Sequence, residues 1–138
     1  MSHVIIFRND NGGVSTCIPT GELPIDKVLE KDVPSGRDAR IVHRDDLPNQ
    51  YSDFYDAWEM DGSTITVNLS KAKELTKTRL RMERTPLLAA QDVLFQRALE
   101  ANADTTAIVA EKNRLRDITG LADAATTLEQ LRALKAEA

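Results

Sequence analysis

From Lys71 to Thr85 the chain carries neither glycine nor proline, and that stretch most restricts what it can become. Ser70 places a side-chain oxygen just before it, a fitting N-cap, so a helix is expected from Lys71 onward. Thr85-Pro86 then has the composition of a second helix start, a hydroxyl cap followed by a proline whose missing N–H is harmless in a first turn. A kink or a restart is expected there. Beyond it, Leu87, Leu88, Leu94, Phe95 and Ala98 share one helical face and form an apolar seam. In a single straight helix through Pro86, Lys73, Lys77, Arg81 and Arg84 would line up with that seam, while Leu75 and Met82 would lie opposite. The segment before Pro86 is therefore expected to bury a different face from the segment after it. Either Pro86 redirects the chain, or the first segment is a partly exposed strut joining sheet to hairpin.

Asn102-Ala103-Asp104 reads as a turn, with Asp104 capping a second helix over Thr105 to Ile118. Ile108, Leu115 and Ile118 point inward on it, and Gly120 ends it. Thr126-Thr127-Leu128-Glu129 has the spacing of a capping box. It opens a last short helix on which Leu128, Leu131 and Leu134 are the apolar positions. Two helices joined by a short turn form an antiparallel hairpin.

The front half reads differently. His3 to Arg8 holds the β-branched and aromatic run Val4-Ile5-Ile6-Phe7, broken by Asn9-Asp10-Asn11-Gly12-Gly13. Val14 to Ile18 resumes extended character, giving a β-hairpin. Pro24 suits a first helical position, with Ile25, Val28 and Leu29 on one face of a short helix that Asp32-Val33-Pro34 ends. Ala39 to His43 is a further strand, and Asp45 to Asp56 a polar loop. Ala57 to Met60, the turn Asp61-Gly62 and Ser63 to Leu69 form the clearest hairpin, with Asp-Gly suited to a type I′ turn. Ile65, Val67 and Leu69 alternate with Thr64, Thr66 and Asn68, so one face is buried and one is wet. The expected class is α+β: a small N-terminal antiparallel β-sheet with one short helix over residues 1–69, then a C-terminal antiparallel helical hairpin and short terminal helix over 70–138.

Of the 138 residues only 4% are aromatic and 41% hydrophobic, so the core is modest and built mostly of Leu, Ile, Val and Ala. An extended shape or a homo-oligomer is compatible with that. The net charge of −4 is uneven, −6 over residues 1–69 and +2 over 70–138, which suggests two surfaces for different partners. The single cysteine, Cys17, excludes an internal disulfide and a multi-cysteine zinc site. No signal-peptide layout opens the chain and no apolar run approaches the roughly 20 residues of a membrane span. A soluble, cytosolic protein without membrane insertion is expected.

Little chemistry is visible. His3 and His43 sit beside strand residues, and Cys17 has no recognisable base and orienting group at a fixed spacing. Asp45, Asp46, Asp53 and Asp56 crowd one loop but lack the glycine and the closing glutamate of a calcium loop. Phosphate-loop, dinucleotide and zinc-protease patterns are absent. No catalytic, cofactor or metal residue is therefore assigned. Lys71, Lys73, Lys77, Arg79, Arg81 and Arg84, opposed by Glu74 and Glu83, give +4 over a short helical stretch. This is the one hint of nucleic acid, but no aromatic residue is interleaved and the chain as a whole is acidic. Lys73, Lys77, Arg81 and Arg84 are the candidate polar contacts to a partner, and Trp58 and Met60 the candidate apolar ones.

Three segments together resemble one family. They are Asp56-Ala57-Trp58-Glu59-Met60-Asp61-Gly62-Ser63; Ala72 to Phe95, with Arg79, Arg84, Pro86-Leu87-Leu88-Ala89-Ala90 and Asp92; and Lys112 to Leu134, with Leu115-Arg116-Asp117 and Asp123-Ala124-Ala125-Thr126-Thr127. Over roughly residues 55–135 the chain is similar to the small tail-fibre-associated proteins of tailed bacteriophages, some of them tail assembly chaperones. Residues 1–50 do not share the resemblance and are a candidate virion-docking module. The resemblance implies a non-enzymatic role, binding a tail fibre, spike or other tail component, in the host cytoplasm during assembly or in the virion tail. It brings no catalytic residue and no cofactor. The alternative is a small nucleic-acid-binding phage regulator using the basic helix 71–84.

Overall fold

A computed structural model of the chain describes residues 2–137. It is a mixed α+β protein with its strands first and its helices mostly after them, dividing after Asn68 into two compact units.

In the first unit, β1 (His3–Arg8) lies between β2 (Val14–Cys17) and β3 (Arg40–His43), antiparallel to both. A central strand explains the unbroken apolar run. Val4 and Ile6 face one side, with Val14, Val42, Leu47, Trp58, Met60 and Ile65. Ile5 faces the other, with Val28 and Val33, where helix α1 (Ile25–Asp32) covers it. A strand buried on both faces loses the apolar-polar alternation. The β1–β2 turn is held by Asn9, whose Oδ1 accepts from the backbone N–H groups of Asn11 and Gly13, each at 3.0 Å.

A separate two-stranded ladder, β4 (Trp58–Asp61) and β5 (Thr64–Val67), completes the unit, so the front half holds two small sheets rather than one. Asp61 pairs with Thr64, which makes Gly62-Ser63 the two turn residues. Gly62 has φ +62° while Ser63 does not enter the left-handed region. Positive φ at the first central position alone is the type II′ pattern. The expected type I′ turn is thus displaced by one residue, because the ladder register sets the turn. The expected loop at 45–56 is also more ordered than its polarity suggested. It forms 3₁₀ turns at Arg44–Asp46 and Asn49–Ala57, with Phe54 and Ala57 buried.

The second unit is built on α2 (Leu69–Glu100), a single helix. The expected restart at Thr85-Pro86 does not occur. Thr85 Oγ1 donates back to the Arg81 carbonyl at 2.8 Å instead of capping a new helix, and Ser70 lies within the first turn. Met82 is 72% exposed and Pro86 is exposed. The carbonyl of Met82, deprived of its i+4 donor by Pro86, therefore lies on a face open to water. Pro86→Ala restores that donor at a site already helical. It should stabilise the second unit by roughly 1–3 kcal/mol, a helix-propensity gain of up to 3 reduced by the greater freedom of the unfolded chain. Urea unfolding followed by circular dichroism measures it, and an unchanged or lowered midpoint would refute it.

Helix α2 buries Ala72, Thr76 and Leu80, and the same stripe continues through half-buried Leu87, Gln91, Phe95 and Ala98. The face does not change at Pro86, contrary to the expectation. Three shorter helices pack on it: α3 (Thr106–Asp117), α4 (Thr119–Ala124) and α5 (Leu128–Ala133). They supply Leu115, Ala122 and Leu131 to the core, and the turn between α3 and α4 adds Ile118. Gly120 does not stop α3 but sits inside α4, after a single turn residue, Ile118, of helical φ and ψ. Asp104 Oδ1 accepts from Thr106 N at 3.0 Å and from its hydroxyl at 2.6 Å. These bonds, the hydroxyl's foremost, hold its carboxyl below the usual range. The cap of α5 is Thr127, which accepts from Gln130 N at 3.1 Å, one residue later than the expected box.

Candidate functional site

The basic stripe of α2 has a structural destination. The last carbonyls of a helix have no intrahelical donors and carry partial negative charge, which cations complement. Arg84 donates to the carbonyls of Leu115 (3.3 Å) and Arg116 (2.9 Å), in the last turn of α3. Lys73 donates to the carbonyl of Asp123 at 3.0 Å, near the end of α4. Arg79 donates to the carbonyl of Leu131 at 3.1 Å, in α5. Lys77 pairs with Asp123 Oδ1 at 2.5 Å and with Glu74 at 3.2 Å. Hydrogen bonds donated to these two carboxylates, Asp123 first, raise its pKa. Of the four candidate cations, Arg81 alone has no side-chain partner among the described residues. Of the charges that seemed misplaced on the seam, Lys73 and Arg84 thus bind helix ends and Lys77 a carboxylate beside one of them.

Glu83 closes the unit from the same helix. It accepts from the backbone N–H of fully buried Ala136 at 3.0 Å and from Arg79 at 2.7 Å. The bond from Ala136 is the larger cause, and together they hold the carboxyl below the usual range. A depressed carboxyl contributes stability that is present above its unfolded pKa and lost as pH falls through the folded one. Below about pH 4.3, the unperturbed glutamate value, the contact with Ala136 should weaken and its amide should lose protection relative to its intrinsic exchange rate at the same pH. Glu83→Gln should lower that protection at neutral pH, by about 1 kcal/mol of local opening, and remove the acid dependence of the protection. NMR-detected hydrogen exchange, corrected for the intrinsic rate at each pH, reads both, and an Ala136 protection factor indifferent to pH and to the substitution would refute them.

The apolar candidates lie elsewhere. Trp58 is 3% exposed and Met60 6%, both within the core of the first unit. The indole N–H donates to the Tyr51 carbonyl at 3.1 Å and the ring lies 4.8 Å from that of Tyr55. As surface anchors for a partner they are corrected: hydrophobic burial and a satisfied N–H hold them inside.

Catalytic geometry is not assembled at the histidines or the cysteine. His3 and His43 are cross-strand neighbours with rings 5.2 Å apart and edge-on. His43 Nδ1 accepts from the Asp45 backbone N–H at 3.0 Å. His3 shares an open groove with Glu22 and Asp26 but bonds to neither, its nearest polar contact being Ser2 Oγ at 3.5 Å. Cys17 packs against the Ile5, Val28 and Val33 cluster. Among the described residues no group of three or more His, Cys, Asp or Glu side chains is placed to hold a metal ion, and no helix is long and apolar enough to cross a membrane.

What the second unit does present is apolar surface. Contacts of Arg84 with Arg116, and of Asp92 and Phe95 with Lys112, fix α2 and α3 as antiparallel. Toward their shared turn at Asn102, Val93 (51%), Leu94 (46%), Leu99 (51%) and Val109 (40%) are left exposed. The sequence seam named Leu94 as an inward residue, and the structure turns it outward. No family model matches this chain, and no curated protein or solved structure shows significant similarity to it.

Proposed function

We propose that this chain is a non-enzymatic protein of a bacteriophage tail, binding a tail fibre, spike or other tail component as an assembly chaperone or a virion accessory. The observation that carries this reading is the group of large apolar side chains left uncovered toward the α2–α3 turn, Val93, Leu94, Leu99 and Val109. It lies on the unit that holds most of the segments resembling tail-fibre-associated proteins. Large apolar side chains left exposed at one end of a helical hairpin, Leu94 and Leu99 flanking the half-buried stripe of Gln91, Phe95 and Ala98 and Val93 on the opposite face, suit protein contact better than chemistry. The nucleic-acid alternative is less favoured, since Lys73, Lys77 and Arg84 already hold helix ends or a carboxylate and phosphates would have to displace those contacts.

The site of action on this reading is the host cytoplasm during assembly, or the virion tail. The test is affinity purification of the tagged chain from infected cells, with mass spectrometry of purified particles. A tail protein should co-purify with the wild-type chain and be lost with the Leu94→Glu/Leu99→Glu double variant. Presence in particles at fixed stoichiometry identifies an accessory, and presence in lysate alone a chaperone. Capture of no tail component in either fraction would overturn the proposal.

A further inference from the structure

We propose that the free edge of β3 is a strand-addition site, taking an extended segment of another protein in which large apolar and acidic residues alternate. The proposal stands independently of the tail assignment. It rests first on backbone geometry. In the order β2-β1-β3, the outer edge of β3 is unpaired within the sheet. Arg44 N donates to the Ser2 carbonyl at 2.6 Å, in register with the pairing of His3 and His43. Antiparallel ladders alternate bonded and non-bonded pairs. Arg40 and Val42 therefore turn their backbone groups toward β1, while Ile41 and His43 turn theirs outward, ready to pair.

The two faces of that edge differ. On the α1 side, Ile41 is 38% exposed and borders an open groove of about 780 Å³, whose other walls include His3, Leu23, Pro24 and Ile25. Glu22 and Asp26 also line it, so it accepts an apolar side chain and repels an acidic one. On the opposite side, Arg8 and Arg40 share the single carboxylate of Asp38, at 3.6 and 2.9 Å, and Arg44 is exposed. That side carries excess positive charge. Successive residues of an added strand fall on alternate faces. The edge thus selects apolar residues on the groove side and Asp or Glu on the arginine side. A second copy fits less well, because two-fold pairing of two β3 edges keeps like faces together and brings both arginine sets onto one surface. Strand addition of this kind draws affinity from main-chain bonds and specificity from alternate side chains.

Selection from a displayed library of random decapeptides against the intact chain tests this. Enriched sequences should alternate large apolar residues with Asp or Glu, and a synthetic representative should shift the amide resonances of Ile41 and His43. Ile41→Pro removes an outward N–H without touching the β1 ladder, and should weaken that peptide at least tenfold with an unchanged unfolding midpoint. Arg40→Glu should weaken it comparably, which keeps the test decisive if the proline variant misfolds. No enrichment, enrichment without alternation, binding indifferent to Arg40→Glu, or dimerisation through this edge would each overturn the proposal.

Discussion

Trp58→Ala should destabilise the first unit by roughly 3–5 kcal/mol, the range for truncating a fully buried large aromatic residue. Trp58 packs in the cluster of Val4, Ile6, Val42, Met60 and Ile65, and its removal leaves a hole that short, paired strands cannot close. The Tyr51 carbonyl also loses its indole donor, adding about 1 kcal/mol. A unit of this size holds only a few kcal/mol in its core. The variant should therefore lose its dispersed strand resonances at 25 °C, read by two-dimensional NMR of residues 2–68. Trp58→Phe, which keeps a ring but not the N–H, should cost clearly less. A loss of under about 1 kcal/mol for Trp58→Ala would mean that the indole is a surface group after all.

For the second unit the corresponding substitution is Leu80→Ala. Leu80 has no exposed surface and shares its stripe of α2 with buried Ala72 and Thr76, against a core including Leu115, Ile118, Ala122 and Leu131. Its truncation should cost roughly 2–5 kcal/mol, toward the upper end where neighbours cannot collapse into the space. Collapse is hindered because α2 is one continuous rod whose distance from the shorter helices is fixed by Lys73, Arg79 and Arg84. Urea unfolding by far-UV circular dichroism gives the value. An equal cost for Met82→Ala, whose side chain is 72% exposed, would contradict the assignment of the buried face.

Much of the fold was legible because local rules and tertiary packing agree. The alternation in β5 marks one buried face, and the β-branched run marks β1. What failed depended on strand register or on partners remote in sequence. Whether Gly62 is the first or second turn residue is decided by the register of Asp61 with Thr64. The helix passes through Pro86 although proline costs about 3 kcal/mol in a helix interior, because packing on α3, α4 and α5 outweighs a local preference. The lysines and arginines of α2 looked like a binding stripe since their acceptors lie far along the chain, Lys73 meeting Asp123 and Arg79 meeting Leu131. Trp58 was ambiguous for another reason. Tryptophan is common both in cores and at interfaces, and only the packing of Val4, Val42 and Ile65 around it distinguishes the two. The outward backbone groups of Ile41 and His43 required the ladder to be seen.

The ties between α2 and the ends of its neighbours also give the second unit a particular chemical weakness. Arg84 and Arg79 hold carbonyl oxygens with the same planar cation that one common denaturant supplies in molar amounts. That salt competes for those oxygens and screens the Lys77–Asp123 pair, whereas urea brings no charge to either. Guanidinium chloride should accordingly unfold this unit at less than about half the urea concentration, the ratio set by exposed surface alone, and substituting Arg79 and Arg84 should remove the excess.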